Sequence, residues 1–350
     1  MQHDIVSVER IGELSSFDEI IDVRSPSEFA DDHIPGSINC PVLDDQQRIE
    51  VGTLYKQVSP FAARKVGAAH VSENIAGHLR RRFLDRPKNW RPLIVCWRGG
   101  QRSGAMTYVF RRIGWDARQL EGGYRSYRRL VVDSLSTVPR RLQLRVICGA
   151  TGSGKSRILQ AIARLGEQVL DLEEIACHKG SLLGVLPDSR QPSQKMFESR
   201  LLAMVQGFDL ERPVYVEAES RKIGSLHLPG ALIETMRAGA CVNIEASFAA
   251  RVDFLLRDYD YFLAAPEWLN TCLQPLRNLH SCATILRWGE YARAGEWRQL
   301  VSELLELHYD PLYSRSQNQN YVGFRAPTKL STDDLTPAGI EALAQRVCGR

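Results

Sequence analysis

Apolar residues fall in short runs separated by glycine, proline and charged clusters, and the runs alternate between strand-like and helix-like spacing. Glu19 to Val23 reads as a buried strand ending in a carboxylate and a turn; a short helix follows, and HIPGSIN then turns into another strand. Asp22, Arg24 and Glu28 lie at the first strand's exit. From about Pro60 to Leu84 the residues Phe61, Val66, Ala69, Val71, Ile75, His78 and Leu79 recur at helical spacing. After RPKNWRP, the run LIVCW predicts a strand, a loop, and a helix from about Ser103 to Ile113; a short strand at Gln119 and Leu120 leads into EGGYRSYRR. This alternation predicts an α/β fold with a largely parallel sheet.

The segment SLSTVPRR, Ser134 to Arg141, breaks the periodicity and carries a proline among polar residues, which predicts a linker. The division expected is a first domain at 1–135, a linker at 136–142 and a second domain at 143–350. LQLRVICGATGSGKSRILQAIARLG reads as strand, glycine-rich loop and helix, the start of a second α/β unit. QVLDLEE and RPVYVEAES are two further short strands ending in acids. From about residue 250 the pattern is mostly helical, as in GEWRQLVSELLELHY, which predicts a helical extension.

Length and composition agree with two folded domains, at 350 residues, 44% apolar and 25% charged. MQHDIVSVER lacks the basic-then-apolar order of a secretory signal, and no run approaches the ~18 residues of a membrane helix, so the expectation is a cytoplasmic protein without a membrane partner. The eight cysteines form no C-x-x-C pair, which argues against a structural zinc site and a disulfide framework. The net charge of +4 is unevenly spread: Arg80 to Arg145 holds 17 Lys/Arg against 4 Asp/Glu, a local excess of 13 that leaves the remainder near −9. Such a stretch fits either a polyanionic partner or solvated helix faces.

In VCWRGGQRSGA, Cys96 ends a strand just before a helix begins. Backbone N–H groups of the loop and helix N-terminus would converge there, and with the helix dipole they are expected to lower the thiol's pKa and make it nucleophilic. Arg98 and Arg102 would complete an anion cradle with Ser103, and Gly99 and Gly100 permit the tight path. Two chemistries fit these residues: attack on phosphorus, as in phosphatases with a C-x5-R loop, or attack on a chalcogen, as in sulfurtransferases.

GATGSGKS, Gly149 to Ser156, satisfies G-x4-G-K-[ST] between a strand and a helix. Gly149, Thr151, Gly152, Ser153 and Gly154 would bring backbone N–H groups to a di- or triphosphate, Lys155 would meet its outer phosphate, and Ser156 could ligate Mg2+. Asp171, Glu173, Glu217 and Glu219, with Ser220 and Arg221 beside the last, are candidates to hold the metal or line the site, and Asp171 fits a helix N-cap equally well.

DVRSPSEF at 22–29, HIPGSIN at 33–39, the cysteine loop and EGGY at 121–124 together resemble a rhodanese domain, whose cysteine carries a persulfide in sulfurtransferase members. The loop is one residue longer than usual, a length shared with rhodanese-fold phosphatases. A rhodanese-like domain followed by a P-loop NTPase-like α/β domain resembles the bacterial tRNA 2-selenouridine synthases. The likeness extends to VGTLYKQ at 51–57, DLEEIACHKGS at 171–181, QPSQKMFES at 191–199, EAESRKIGSLHLP at 217–229 and YDPLY at 309–313.

The resemblance implies conversion of wobble 2-thiouridine in tRNA to 2-selenouridine in two steps: S-geranylation by geranyl diphosphate, then replacement of the S-geranyl group by selenium from selenophosphate. It implies no tightly bound cofactor, those two compounds as co-substrates, the tRNAs for Lys, Glu and Gln as partners, and an enzyme that supplies selenophosphate. In this reading Cys96 carries selenium, Arg98 and Arg102 hold selenophosphate, and Lys155 holds the prenyl diphosphate. Arg80, Arg81, Arg82, Arg111, Arg112, Arg125, Arg128 and Arg129 are the candidate tRNA contacts. Trp268, Trp288 and Trp297 could stack an anticodon base or belong to the core, and His178, Lys179 and Ser181 could line the base or diphosphate site. The alternative is an NTP-hydrolysing protein with a phosphatase-like or phosphate-sensing C-x5-R domain.

Overall fold

The computed structural model describes residues 4–181, 183–187, 189–313 and 321–350. The chain forms two units: the segment up to Leu135 together with Pro192–Gln206, and Ser136–Gln191 with Gly207–Arg350.

The first unit is built on a five-stranded parallel sheet of β1 (Ile5–Val6), β2 (Glu19–Asp22), β3 (Ile38–Asn39), β4 (Pro92–Val95) and β5 (Arg118–Leu120), in the order β1-β5-β4-β2-β3. The four residues of β4 are all buried, as a central strand covered on both faces requires. Ile21, Ile94, Met106 and Phe110 are fully buried in its core. Trp90 and Trp115 from the strand-flanking turns meet Phe83 and Phe110, with ring centroids 5.0 to 5.8 Å apart. The helix expected from Ser103 starts two residues earlier and spans Gln101–Ile113, ending on Gly114 in the left-handed conformation.

Two expectations about the boundary are corrected. The polar segment taken for a linker is helix Tyr124–Thr137 followed by a tight turn at Val138–Arg141, because Tyr124, Tyr127, Val131 and Leu135 keep one buried stripe past the last charged residues. The second correction concerns helix Gln194–Gln206, which lies inside the expected second domain but belongs to the first unit. Its Glu198 pairs with Arg128, its Ser199 hydroxyl donates to Asp32 at 3.1 Å, and Lys195 pairs with Asp31 at 2.7 Å.

The second unit carries another five-stranded parallel sheet. Its strands are β6 (Leu144–Gly149), β7 (Gln168–Leu170), β8 (Val214–Glu217), β11 (Ala240–Ala246) and β12 (Thr328–Thr332), in the order β12-β11-β6-β8-β7. An antiparallel hairpin of β9 (Lys222–Ile223) and β10 (Leu226–His227) follows β8. Strand β12 falls in the region expected to be helical; it is a polar edge strand, TKLST, with little apolar alternation to reveal it. The helical part between β11 and β12 packs around fully buried Trp288 and Leu276, with Leu273, Leu300 and Leu304.

One packing constraint fixes the cysteine loop. Gly99, Gly122 and Gly123 all have φ near +60°, and a Cβ on Gly123 would lie 2.2 Å from the Cys96 carbonyl oxygen. The following amides, Tyr124 and Arg125, donate to the carbonyls of Cys96 and Trp97 at 2.8 and 3.2 Å. The EGGY turn therefore sits flush against the loop only because it lacks side chains there. Gly123→Ala should lower stability by about 2 kcal/mol or more, from left-handed strain plus the collision. Gly52→Ala, on the helix Asp45–Gln57 where only an Arg48 side-chain tip lies near, should be neutral or stabilising; urea unfolding of the two variants checks the contrast.

Candidate functional site

Strand β4 delivers Cys96, 3% exposed, to the mouth of the loop that feeds helix Gln101–Ile113. The Gly100 N–H donates to its Sγ at 3.3 Å and the Ser103 hydroxyl donates at 3.0 Å. Two donors aimed at one sulfur suit a chalcogen that carries negative charge. Arg98 is exposed and has no acidic partner among the described residues, so its guanidinium is available to an anion.

Arg102 is not available in the same way. Its guanidinium forks onto Glu28, Nη1 at 2.6 Å and Nη2 at 3.3 Å. Burial disfavours the Glu28 carboxylate, and Arg102 overrides that, holding the group below the usual carboxylate range. The expected two-arginine cradle thus reduces to Arg98 and backbone donors, with Arg102 bracing two helices.

Beneath the loop lies a buried network that sequence reasoning only touched. Arg24 pairs with Asp22 at 2.6 Å, donates to the Asp32 carbonyl at 2.6 Å, and lies 4.0 Å from the Tyr124 ring centroid. The Tyr124 hydroxyl donates to the Asp32 carboxylate at 2.6 Å, and Trp97 stacks on Tyr124. Burial raises the Asp32 carboxyl despite hydrogen bonds from Tyr124 and Ser199. Asp22 and Arg24 are visible in DVRS, but Asp32 has no local signal: its partners are 92 and 167 residues away.

Of the eight arginines proposed for an RNA surface, Arg80, Arg81 and Arg82 are exposed on a wide π-helical turn at Leu79–Phe83. Arg125 and Arg129 are exposed as well, and these five have no acidic partner among the described residues. The other three are engaged: Arg111 with Asp4 and Asp116, Arg128 with Glu198, and Arg112 with the Tyr108 hydroxyl.

In the second unit, β6 runs into the glycine-rich loop and helix Lys155–Arg164. Gly152 and Gly154 have φ of 83° and 77°, and side chains there would strike Leu255 and Ile340. Lys155 Nζ donates to the Gly149 carbonyl at 2.9 Å and lies 3.7 Å from Glu217. The Ser156 hydroxyl is 2.8 Å from Glu173 and 3.0 Å from Glu217. Ser153 is buried with its hydroxyl unpaired, and the Thr151 carbonyl accepts from Arg251.

Glu173, Glu217 and Glu219 bring carboxylate oxygens within 4.8 Å of one another. Burial, and then the neighbouring carboxylates, raise Glu173 and Glu219 well above the ordinary range; Glu217 is raised chiefly by burial, against the pull of Lys155. Gly180 abuts them so closely that a Cβ would fall 2.6 Å from Glu173 Oε1. Asp171 accepts from the Glu174 N–H at 2.9 Å, the N-cap role, while lining the same cavity.

That cavity is about 700 Å³, with Ser220, Arg221 and Arg237 along it. His178 is buried there, and Lys179 Nζ is held by Asp258 Oδ2 at 2.7 Å. Gln191 ties neighbouring segments together by donating to the Ala176 and Ile223 carbonyls and accepting from the Ser225 N–H.

An apolar slot adjoins the cavity, with Thr151, Ser181, Leu255, Tyr259 and Tyr309 lining both. Beyond these the slot is walled almost wholly by hydrocarbon, including Phe262, Leu269, Trp297 and Leu300. The tryptophans offered for base stacking are therefore core or slot residues. Trp288 is fully buried and donates to Glu303, Trp268 packs on Phe262 and Tyr261, and Trp297 lines the slot.

Two family models match the chain: a rhodanese-like domain over residues 8–130 and the tRNA 2-selenouridine synthase AAA domain over residues 118–269. A tRNA 2-selenouridine synthase from Nitrosomonas europaea is 34% identical over 82% of this chain and 80% of its own. One from Marinobacter nauticus is 31% identical over 90% of this chain and 93% of its own. Likeness at that coverage takes in both the cysteine loop and the P-loop, in the same order, and is more than one shared domain: the chain belongs to the tRNA 2-selenouridine synthase family.

Proposed function

We propose that the protein replaces the sulfur of a wobble 2-thiouridine in tRNA by selenium, through an S-geranyl intermediate. The observation that carries this reading is the cavity at the P-loop lying against a hydrocarbon-lined slot, with five residues lining both. A ligand with a diphosphate head and an apolar tail would meet phosphate donors in one and hydrocarbon in the other, the slot of about 70 Å³ widening to take the chain, whereas the ribose and base of a nucleotide would leave their polar groups unpaired there. The NTP-hydrolysing alternative is not favoured, given the family to which the chain belongs.

The C1–O bond of geranyl diphosphate breaks with its electron pair leaving on diphosphate, and the thiouridine sulfur bonds to C1. A thiocarbonyl sulfur is a poor leaving group, and alkylation lets it leave as geranyl thiol when selenium from selenophosphate enters at C2. Lys155 and the loop amides would hold the diphosphate. At the other loop, Arg98 and backbone donors would hold selenophosphate while Cys96 carries selenium. Arg80, Arg81, Arg82, Arg125 and Arg129 are the proposed tRNA contacts, the tRNAs being those for Lys, Glu and Gln. Selenophosphate would come from a separate enzyme. Among the described residues no helix is long and apolar enough to cross a membrane, and a tRNA substrate is met in the cytoplasm.

Mg2+ fits the acidic cluster. Three carboxyls, Glu217 buried and Glu173 and Glu219 half-buried, beside the Ser156 hydroxyl form a hard oxygen set, and acids this close favour either protons or a cation. Glu173, Glu217, Glu219 and Ser156 would hold the ion, which when bound neutralises charge on the diphosphate.

Substitutions at the two loops should separate the half-reactions. Lys155→Ala should abolish geranylation yet leave selenation of pre-geranylated tRNA measurable, and Cys96→Ser should do the reverse; nucleoside mass spectrometry reads both. Filling the slot with Leu300→Trp should raise KM for geranyl diphosphate about tenfold, while inhibition by inorganic diphosphate stays unchanged within twofold. The acidic cluster predicts a pH dependence as well. Carboxyls raised in the folded state bind protons that the unfolded chain has released, so without metal the protein should lose stability as pH climbs above the ordinary carboxylate range toward 9. Mg2+ should bind more tightly at pH 9 than at pH 7 with release of protons, measurable by calorimetry in two buffers.

A further inference from the structure

Tyr259 stands at the seam between the anionic cavity and the apolar slot, lining both. One ring face carries the Lys179 ammonium, 4.1 Å from the centroid, and Lys179 lines only the anionic cavity. The ring lies parallel to Phe262, a residue of the slot alone, at 6.2 Å and an interplanar angle of 4°. Ser181 and Tyr309 line both spaces beside it. Burial pushes the phenol well above its usual range, so the ring is a neutral π system.

An amphiphile with its diphosphate at Lys155 and its tail between Phe262 and Leu300 must place the carbon that joins them at this seam. For an allylic diphosphate that carbon, C1, carries the developing positive charge as the C–O bond breaks. The face of a desolvated aromatic ring attracts a cation; Lys179 holds one face of Tyr259, so the face away from Lys179 is the one offered to the allylic cation.

We propose that Tyr259 is a catalytic residue whose ring face stabilises the allylic carbocation during prenyl transfer. This rests on the reading of the P-loop ligand as a prenyl diphosphate. The C1–O bond breaks with its electron pair going to the diphosphate, which Lys179 and Lys155 help to neutralise. The cation, delocalised over C1 and C3, is held against the ring until a lone pair of the thiouridine sulfur forms the C1–S bond. The N3 proton of the base passes to the departing diphosphate, so the alkylated base is neutral and no oxidant or reductant is involved.

The test uses the full-length protein with a 2-thiouridine anticodon stem-loop, in single turnover, with geranyl diphosphate and with its 2-fluoro analogue, whose fluorine destabilises an allylic cation. The wild-type protein should alkylate at least about a hundredfold more slowly with the fluorinated substrate, a measurement that does not depend on any variant folding. Tyr259→Leu should lose about thirtyfold in the alkylation rate with KM for geranyl diphosphate changed less than threefold, and Tyr259→Phe should recover most of that rate because the π face remains. Equal rates with the two substrates would overturn the proposal, since a direct displacement has no cation to stabilise. A Tyr259→Leu effect confined to KM would also overturn it, reducing the ring to a wall of the slot. No alkylation at all by the wild-type protein would instead overturn the prenyl diphosphate reading on which the proposal stands.

Discussion

Both parallel sheets of this protein end in buried charge, and a buried charge must find a partner or change its protonation state. The first sheet solves this internally: Asp22 at the end of β2 is met by Arg24 two residues on, and the guanidinium's other bonds go to the Asp32 carbonyl. Removing one member of such a buried pair typically costs ~3–5 kcal/mol, because the other is left uncompensated. The Asp22–Arg24 pair is thus satisfied within the floor of the cysteine loop, although one Asp32 carboxylate oxygen is buried without a partner among the described residues; the loop's outward donors and Arg98 are the part able to respond to a ligand. The second sheet leaves the matter open. Glu173, Glu217 and Glu219 meet one hydroxyl and one ammonium, too little positive charge for three carboxylates. The raised carboxyls are the physical expression of that shortfall, and a ligand carrying cations relieves it.

What was legible in the sequence follows from how local each interaction is. The two loops are contiguous stretches in which glycines, a strand before and a helix after specify nearly the whole geometry, so both were found where expected. The role of EGGY as a spacer was not legible, because the reason for its glycines is the carbonyl of Cys96, about 27 residues earlier and visible only in three dimensions. Asp32 was missed for the same reason, its partners being Tyr124 and Ser199. Arg102 looked like an anion ligand from its spacing, and only the fold brings Glu28 within 2.6 Å of it. At the level of elements, β12 was overlooked because an exposed edge strand carries no apolar alternation, and the presumed linker was helical because Leu135 prolongs a buried stripe through polar neighbours.

Charge counting had a similar limit. The basic excess between Arg80 and Arg145 is real, yet several of its arginines are neutralised by acids close in space, some of them distant in sequence. Arg111 and Arg128 serve the fold; Arg80, Arg81, Arg82, Arg125 and Arg129 project to solvent. Composition thus located a basic region, while the structure divides it into arginines that hold elements together and arginines free to meet a phosphate backbone. Exposed guanidiniums without acid partners also retain the most attraction for polyanions, since no internal ion pair competes.

A P-loop alone is indifferent to what its phosphates are attached to, because its donors reach only the phosphate oxygens. Discrimination must come from whatever surrounds the rest of the ligand. Here that surrounding is hydrocarbon from the helices after β11, the region the sequence presented as a featureless helical extension. Helices packed around Trp288 turn Phe262, Leu269, Trp297 and Leu300 toward the space beside the loop, so one α-helical subdomain supplies both a stable core and the specificity of the site. On the proposed reading, phosphate recognition in this unit would reside in the glycine-rich turn and the strand ends, and tail recognition in the added helices. The seam between them, lined by Ser181, Tyr259 and Tyr309, is where a bond joining a polar head to an apolar tail would break on that reading. A fold assembled in this way can exchange one leaving-group chemistry for another by changing its helices while keeping the P-loop intact.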